Sequence, residues 1–111
     1  MRTPKEGRSS ITVTVTFELS VAGQPPPGTR FFGAVAQGQR VDAEAELLDQ
    51  DGDGLYIGSM QVERGVERGV GIVLRDGRGL SELIKNFGVA TFDRNKTFST
   101  ILSFRQGSDH F

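Results

Sequence analysis

The sequence has no cysteine and no tryptophan, and it contains a single histidine and a single tyrosine among 111 residues. Without cysteine there is neither a disulfide framework nor a thiolate metal site, although this leaves the cellular compartment open. The histidine, His110, is the penultimate residue, and no serine stands in a pattern that pairs it with a base. We therefore do not expect an enzyme.

Long apolar runs and a strong net charge are also missing. The longest apolar stretches, FFGAVA and VGIVL, have the length of strands, whereas a membrane-spanning helix needs about 18 apolar residues. The formal net charge is −1 and the isoelectric point is about 5.8, so no basic field attracts nucleic acid or an anionic membrane. The first ten residues, MRTPKEGRSS, lack the hydrophobic segment of a signal peptide. A cytoplasmic location is expected if Met1 is the native start, and an extracellular one if a signal peptide was removed.

What the sequence does contain is apolar alternation. In ITVTVTFELSV, residues 11–21, every second side chain is apolar and the five between them are threonine, glutamate or serine. This period of two predicts a strand with one buried and one wet face. A helix would scatter the same apolar side chains around its circumference.

Six further segments have the composition of short strands, separated by turns rich in glycine, proline and aspartate. They are RFFGAVA, AEAELLD, LYIGSMQVE, VGIVLRDG, VATFD and TFSTILSF. About seven strands predict one all-β domain, an antiparallel β-sandwich of immunoglobulin-like or prealbumin-like type. We expect it to span residues 11–105, between a flexible arm at 1–10 and a frayed tail at 106–111.

One segment favours a different element. In LSELIKNFG the apolar residues Leu80, Leu83, Ile84 and Phe87 follow the spacing i, i+3, i+4, i+7, and a glycine is placed to end a helix. The pattern predicts one short helical turn near residues 80–87, although its length is marginal for a helix.

The stretch LLDQDGDGLY carries three alternating carboxylates, Asp49, Asp51 and Asp53, around glycines. This is the first half of a calcium-loop pattern, and calcium prefers such oxygen ligands. A complete EF-hand loop needs an acid at position twelve, where this chain has Met60, and a following helix, where it has a strand-like segment. A hairpin turn and a looser Ca²⁺ site both remain open, and Ca²⁺ is the only cofactor we consider.

Three segments taken in order resemble the starch-binding-type carbohydrate-binding modules. They are VTVTFELSVAGQPPPGTRFFGAV, AELLDQDGDGLYIGSMQVERGVERGVGIV and TFDRNKTFSTILSF. The resemblance implies a β-sandwich that binds sugars by stacking aromatic rings on them, and Tyr56 matches the aromatic residue after the DGDG-type turn. Where that family has a tryptophan, this chain has GAVAQGQ, Gly33 to Gln39.

The favoured hypothesis is therefore a non-catalytic domain that binds polysaccharide, with Tyr56 as the candidate ligand contact and a sugar site that has lost its tryptophans. The alternative is an interaction or structural module with no carbohydrate ligand. In that case its edge strands would bind a protein partner or associate into a homo-oligomer. Neither hypothesis involves nucleic acid or a membrane.

Overall fold

The computed structural model describes residues 11–104, and these form seven β-strands and no helix. The strands are β1 (Thr12–Ala22), β2 (Arg30–Gln37), β3 (Arg40–Leu47), β4 (Leu55–Glu63), β5 (Glu67–Arg75), β6 (Ser81–Thr91) and β7 (Lys96–Ser103). They make a three-stranded sheet of order β4-β1-β7 and a four-stranded sheet of order β3-β2-β5-β6. The predicted all-β sandwich of seven strands is confirmed, whereas the predicted arm and tail lie outside the described residues.

Across the described range there is no helix that could span a membrane.

The two sheets pack face to face around a shared apolar core. The side chains that form it come from both sheets and from the segments beside them: Val13, Val15, Phe17, Leu19, Phe31, Val35, Leu47, Val62, Val70, Ile72 and Phe92. The alternation predicted for residues 11–21 is confirmed, because Val15, Phe17 and Leu19 of β1 are fully buried.

One pair of strands departs from the predicted antiparallel arrangement, because β1 and β7 run parallel. The antiparallel pairs within each sheet, together with the antiparallel bridge between Leu48 and Ile57, give all odd-numbered strands one direction and all even-numbered strands the other. The three-stranded sheet places β1 directly beside β7, and two odd-numbered neighbours must be parallel. Side-chain alternation marks which segments are strands but not which strands become neighbours.

The helical turn predicted near residues 80–87 is wrong, since this segment belongs to strand β6. On β5, residues 70–73 pair with residues 83–88 of β6, so β6 has two additional residues there, Ile84 and Phe87. Each is a β-bulge, and both side chains turn inward and pack against the core. Two bulges thus produce the three-residue spacing of apolar side chains that otherwise indicates a helix.

Candidate ligand-binding surface

The outer face of the four-stranded sheet carries an apolar groove of about 440 Å³, here called the outer-face groove. It is lined by Ala34, Ala36, Gly38, Gln39, Val41, Gly69, Val70, Gly71, Val73, Leu83, Asn86, Gly88 and Val89. The volume and the mainly apolar lining with a few polar groups are typical of small-molecule sites. This surface is therefore the candidate binding site.

The groove exists because the central strands carry small residues at their outward positions. Ala34 pairs with Gly71 and Ala36 with Gly69 across β2 and β5, so this part of the floor has no side chain larger than a methyl group. Longer aliphatic side chains on the outer strands stand above this floor. They include Val41 on β3 and, on β6, Leu83 and Val89, which are 57% and 73% exposed. A ligand that displaces water from such an apolar surface lowers the free energy.

Beside the groove, Phe32 also points outward, but its ring is covered. The guanidinium carbons of Arg30 and Arg75 lie 5.2 and 4.2 Å from the ring centre, and Phe32 is only 7% exposed. These are cation–π contacts, in which the positive groups occupy the negative faces of the ring. Phe32 is thus not available as a platform for a sugar ring.

Both arginines are held over Phe32 by carboxylates of β3. Arg30 donates hydrogen bonds from Nε and Nη2 to the two carboxylate oxygens of Glu46, each at 3.0 Å. Hydrogen bonding from Arg30 lowers the pKa of Glu46, and the same contact raises the pKa of Arg30. Arg75 donates to Glu44 at 3.2 Å. These four side chains therefore form two ion pairs and add no net charge to the border of the groove.

A second carboxylate with a shifted pKa, Asp42 on β3, lies at the opposite end of the strand. Asp42 accepts hydrogen bonds from Arg68 at 2.6 Å and from Gln37 at 3.3 Å. Both bonds lower the pKa of Asp42, and the bond from Arg68 has the larger effect. Both partners lie on strands of the four-stranded sheet. This ion pair connects β3 with β5 and is not part of the groove lining.

Tyr56, the candidate ligand contact from the sequence, lies on β4 and packs against the core. Its ring meets Phe31 edge to face, with the ring centres 5.0 Å apart. Its cross-strand partner on β1 is the buried Leu19, so Tyr56 shares the inner face of the three-stranded sheet. It is half-buried and does not line the outer-face groove; contact of its exposed part with a ligand stays a prediction.

The aspartate loop, residues 48–54, connects β3 to β4, and Asp49 holds its turn together through hydrogen bonds to the backbone. Asp49 Oδ1 accepts hydrogen bonds from the backbone N–H groups of Gly52 and Asp53, at 2.8 and 3.2 Å, and Oδ2 accepts one from Gly54 at 2.9 Å. Asp53 accepts from the backbone of Leu55 at 3.1 Å. Within residues 11–104 no three acidic or histidine side chains are grouped as a metal site. Calcium binding by Asp49, Asp51 and Asp53 stays a prediction.

Sequence patterns did not identify the outer-face groove. Its signal is present in GAVA and GVG, where small residues fall at outward positions of β2 and β5. The groove can be recognised from these residues only once the pairing of β2 with β5 is known. A single strand with alanine or glycine at its outward positions is common and does not by itself indicate a groove. The groove arises from the register between two strands that are distant in sequence.

No protein family and no curated protein matches the sequence. Solved structures do match in fold. One is a glycoside hydrolase family 15 glucoamylase from Hypocrea jecorina, with a TM-score of 0.55 and 15% identity over 86% of this chain and 18% of that chain. Another is a gamma-CGTase from an alkalophilic Bacillus clarkii, with a TM-score of 0.55 and 13% identity over 86% of this chain and 15% of that chain.

The chain therefore spans less than a fifth of the length of either matched protein. At these identities the likeness shows the fold alone. This protein has the fold of a domain-sized part of two much larger enzymes, and that fold is a β-sandwich.

Proposed function

We propose that this chain is a non-catalytic domain of carbohydrate-binding type and that the outer-face groove contacts the polysaccharide. The groove is the observation that carries the proposal, because it offers apolar surface bordered by the amide side chains of Gln39 and Asn86. Apolar faces of pyranose rings can lie on such a floor while their hydroxyls meet the polar border. The resemblance in sequence and the likeness in fold to parts of a glucoamylase and a CGTase support a glucan as the ligand.

Two observations support binding without catalysis. The groove lining contains alanine, glycine, valine, leucine, asparagine and glutamine but no ionisable side chain, so it provides no general acid or base. The fold likeness covers only 15–18% of each matched enzyme, as a domain that accompanies a separate catalytic part would.

The groove coincides with the place where the resemblance puts the family's tryptophan. Gly33 to Gln39 fill that place in the sequence, and Ala34 and Ala36 from this stretch form part of the floor. A sugar ring on this floor would contact methyl groups and backbone where an indole would otherwise stack. We expect the affinity for glucan to be lower than that of a domain with an aromatic platform.

Retention of the full chain on insoluble amylose tests the proposal. We expect Leu83→Asp to reduce retention about tenfold, because a ligand in the groove would have to desolvate a charged side chain that has no partner. Leu80→Asp is the matched control, since Leu80 is similarly exposed, at 63%, but does not line the groove. Equal retention of the two variants would contradict the assignment of the groove.

A gain of binding provides the complementary measurement. Ala36→Trp places an indole on the floor of the groove, where a flat apolar ring can stack on a sugar, and we expect retention to rise at least about tenfold. If neither the unmodified chain nor Ala36→Trp is retained on a panel of glucans, the carbohydrate proposal is wrong and the interaction-module alternative is left.

A further inference from the structure

We propose that two copies of this chain associate through the outer edge of β7, which pairs antiparallel with β7 of the second copy. Strand β7 is the last strand of the three-stranded sheet and pairs with β1 on one side only within the described residues. The backbone of its other side has N–H and C=O groups that a further strand can bind. The inference does not depend on the proposed carbohydrate ligand.

The other three edges of the sandwich carry features that discourage pairing. Strand β6 has two bulges, which break the regular ladder. Strand β3 has a register shift and four charged side chains, Arg40, Asp42, Glu44 and Glu46. The edge of β4 is partly taken by two hydrogen bonds of 3.0 Å between Leu48 and Ile57. Natural sheets use such bulges, charges and coverings to block association of edges.

Strand β7 has none of these features along residues 97–103. This stretch, TFSTILS, contains no charged residue, no proline and no glycine, and no register shift interrupts its pairing with β1. Threonine and isoleucine favour extended backbone. An uncharged, unbulged edge of this kind pairs with another strand or aggregates.

The backbone groups available for pairing follow from one hydrogen bond. The N–H of Phe104, at the end of β7, donates to the carbonyl of Ala22 on β1 at 2.8 Å. Successive residues of a strand direct their backbone groups to opposite sides, so the even-numbered residues of β7 bond to β1 and the odd-numbered ones face outward. The odd-numbered residues are Thr97, Ser99, Ile101 and Ser103.

These groups and the side chains fit a second copy in one register, with the twofold axis at Thr100. Thr97 then faces Ser103 of the second copy and Ser99 faces its Ile101, so every outward N–H and C=O of the odd-numbered residues is bonded.

The side chains of the two strands also fit in this register. On the inner face, Phe98 contacts Leu102 of the second copy, and both side chains already pack against the core. The exposed Ile101, 74% exposed, gains a neighbour on the outer face.

The fit of β7 to itself is the reason to assign the second copy as the partner. In this register no two charged residues of the strands oppose each other, because Lys96 falls beyond the paired stretch, opposite Phe104. The apolar inner residues continue across the junction without a break, which extends the core into the second copy. The result is a continuous six-stranded sheet, β4-β1-β7-β7-β1-β4.

Light scattering on the full chain over a range of concentrations tests the association. We expect a mass approaching twice the 12.0 kDa of one chain at high concentration. Ser99→Pro removes an outward N–H while leaving the bonds of β7 to β1, so it should remain folded by circular dichroism and be monomeric. Ile101→Lys should also weaken the dimer at least tenfold, whereas Ile57→Lys, on the same outer face but on β4, should not.

Cross-linking tests the register. Because the chain has no cysteine, Thr100→Cys introduces a single thiol. At the twofold axis, Thr100 faces itself as a non-hydrogen-bonded pair with its Cα atoms about 4.5 Å apart, within the range of a disulfide. We expect an oxidant to convert Thr100→Cys into a covalent dimer and to leave Thr12→Cys, at the far end of β1, as monomer. A monomer at every concentration, or a dimer that Thr100→Cys does not cross-link, would overturn the proposal.

Discussion

At the scale of single residues, Gly33 in the middle of β2 shows how closely the two sheets pack. A Cβ atom at Gly33 would lie 2.3 Å from Cδ1 and 2.5 Å from Cγ of the Phe17 ring. Phe17 is fully buried and stacks on Phe98 with the ring centres 5.9 Å apart, so its ring has little room to move away. The absence of a side chain at Gly33 is therefore what lets Phe17 fill the centre of the core.

We expect Gly33→Ala to lower the free energy of unfolding by about 2–3 kcal/mol, as overpacking of a close-packed core does. Gly69→Ala on β5 is the matched control, because its nearest atom would be the Ala36 carbonyl oxygen at an ordinary 3.6 Å. Urea unfolding of both variants measures the difference. An unchanged midpoint for Gly33→Ala would mean that the Phe17 ring does not lie against β2 as described.

Residue patterns predicted the inward side chains well where alternation was unbroken. On β4 and β7, where every second residue faces inward, Tyr56, Met60, Phe98 and Leu102 likewise pack against the core. Phe32 is the exception among neighbouring phenylalanines, because it points outward beneath two arginines. Its cover depends on which strands lie beside β2, and this information is absent from the local sequence.

At the scale of elements, the connection from β3 to β4 is organised by one carboxylate. Asp49 satisfies three backbone N–H groups of the turn, which would otherwise depend on water. We expect Asp49→Ala to lower the free energy of unfolding by about 1–2 kcal/mol even in the presence of a chelator, because the bonds are lost without any ion being involved. Thermal unfolding in EDTA measures this.

Calcium binding by the same loop predicts a separate result. Addition of Ca²⁺ should then raise the melting temperature by an amount set by the ratio of its concentration to its dissociation constant. Asp51→Asn with Asp53→Asn should abolish that rise while leaving the three bonds of Asp49 in place. No rise at millimolar Ca²⁺ would leave the loop as a turn alone.

Strand β6 shows why one element was predicted wrongly. Its apolar residues recur at helical spacing only because the bulges at Ile84 and Phe87 each insert one residue against β5. The bulges are accommodated by Gly71 of β5, where an added Cβ would lie 2.7 Å from Leu83 Cδ1 and 2.8 Å from the Lys85 carbonyl oxygen. A local pattern cannot report on a neighbour from another part of the chain, so helix and bulged strand are indistinguishable at this level.

At the scale of the whole molecule, the two proposals together define a geometry. A twofold axis through Thr100 runs perpendicular to the shared sheet, so both four-stranded sheets lie on the same side of it. The two outer-face grooves then point in one direction, and a long polysaccharide can bind both. Binding at two sites on one polymer strengthens retention without any new contact in either groove.

We therefore expect Ile101→Lys, which weakens the dimer, to lower retention on amylose at least tenfold although it does not line the groove. Ile57→Lys should be retained on amylose as strongly as the unmodified chain. A short soluble oligosaccharide, which reaches one groove only, should bind the unmodified chain and Ile101→Lys equally. Equal retention of the two proteins on amylose would argue against cooperation between grooves, whichever way the separate tests fall.

The parallel contact between β1 and β7 has a consequence for how the chain reaches its native state. Strand β1 pairs with β4 through residues that are 35 to 51 positions apart, but with β7 through residues that are 81 positions apart. The longer loop adds only about 0.5 kcal/mol of closure entropy, so loop length alone does not decide which neighbour β1 pairs with first. During synthesis, the backbone groups of β1 that pair with β7 have no β7 partner until residues 96–103 have left the ribosomal exit tunnel.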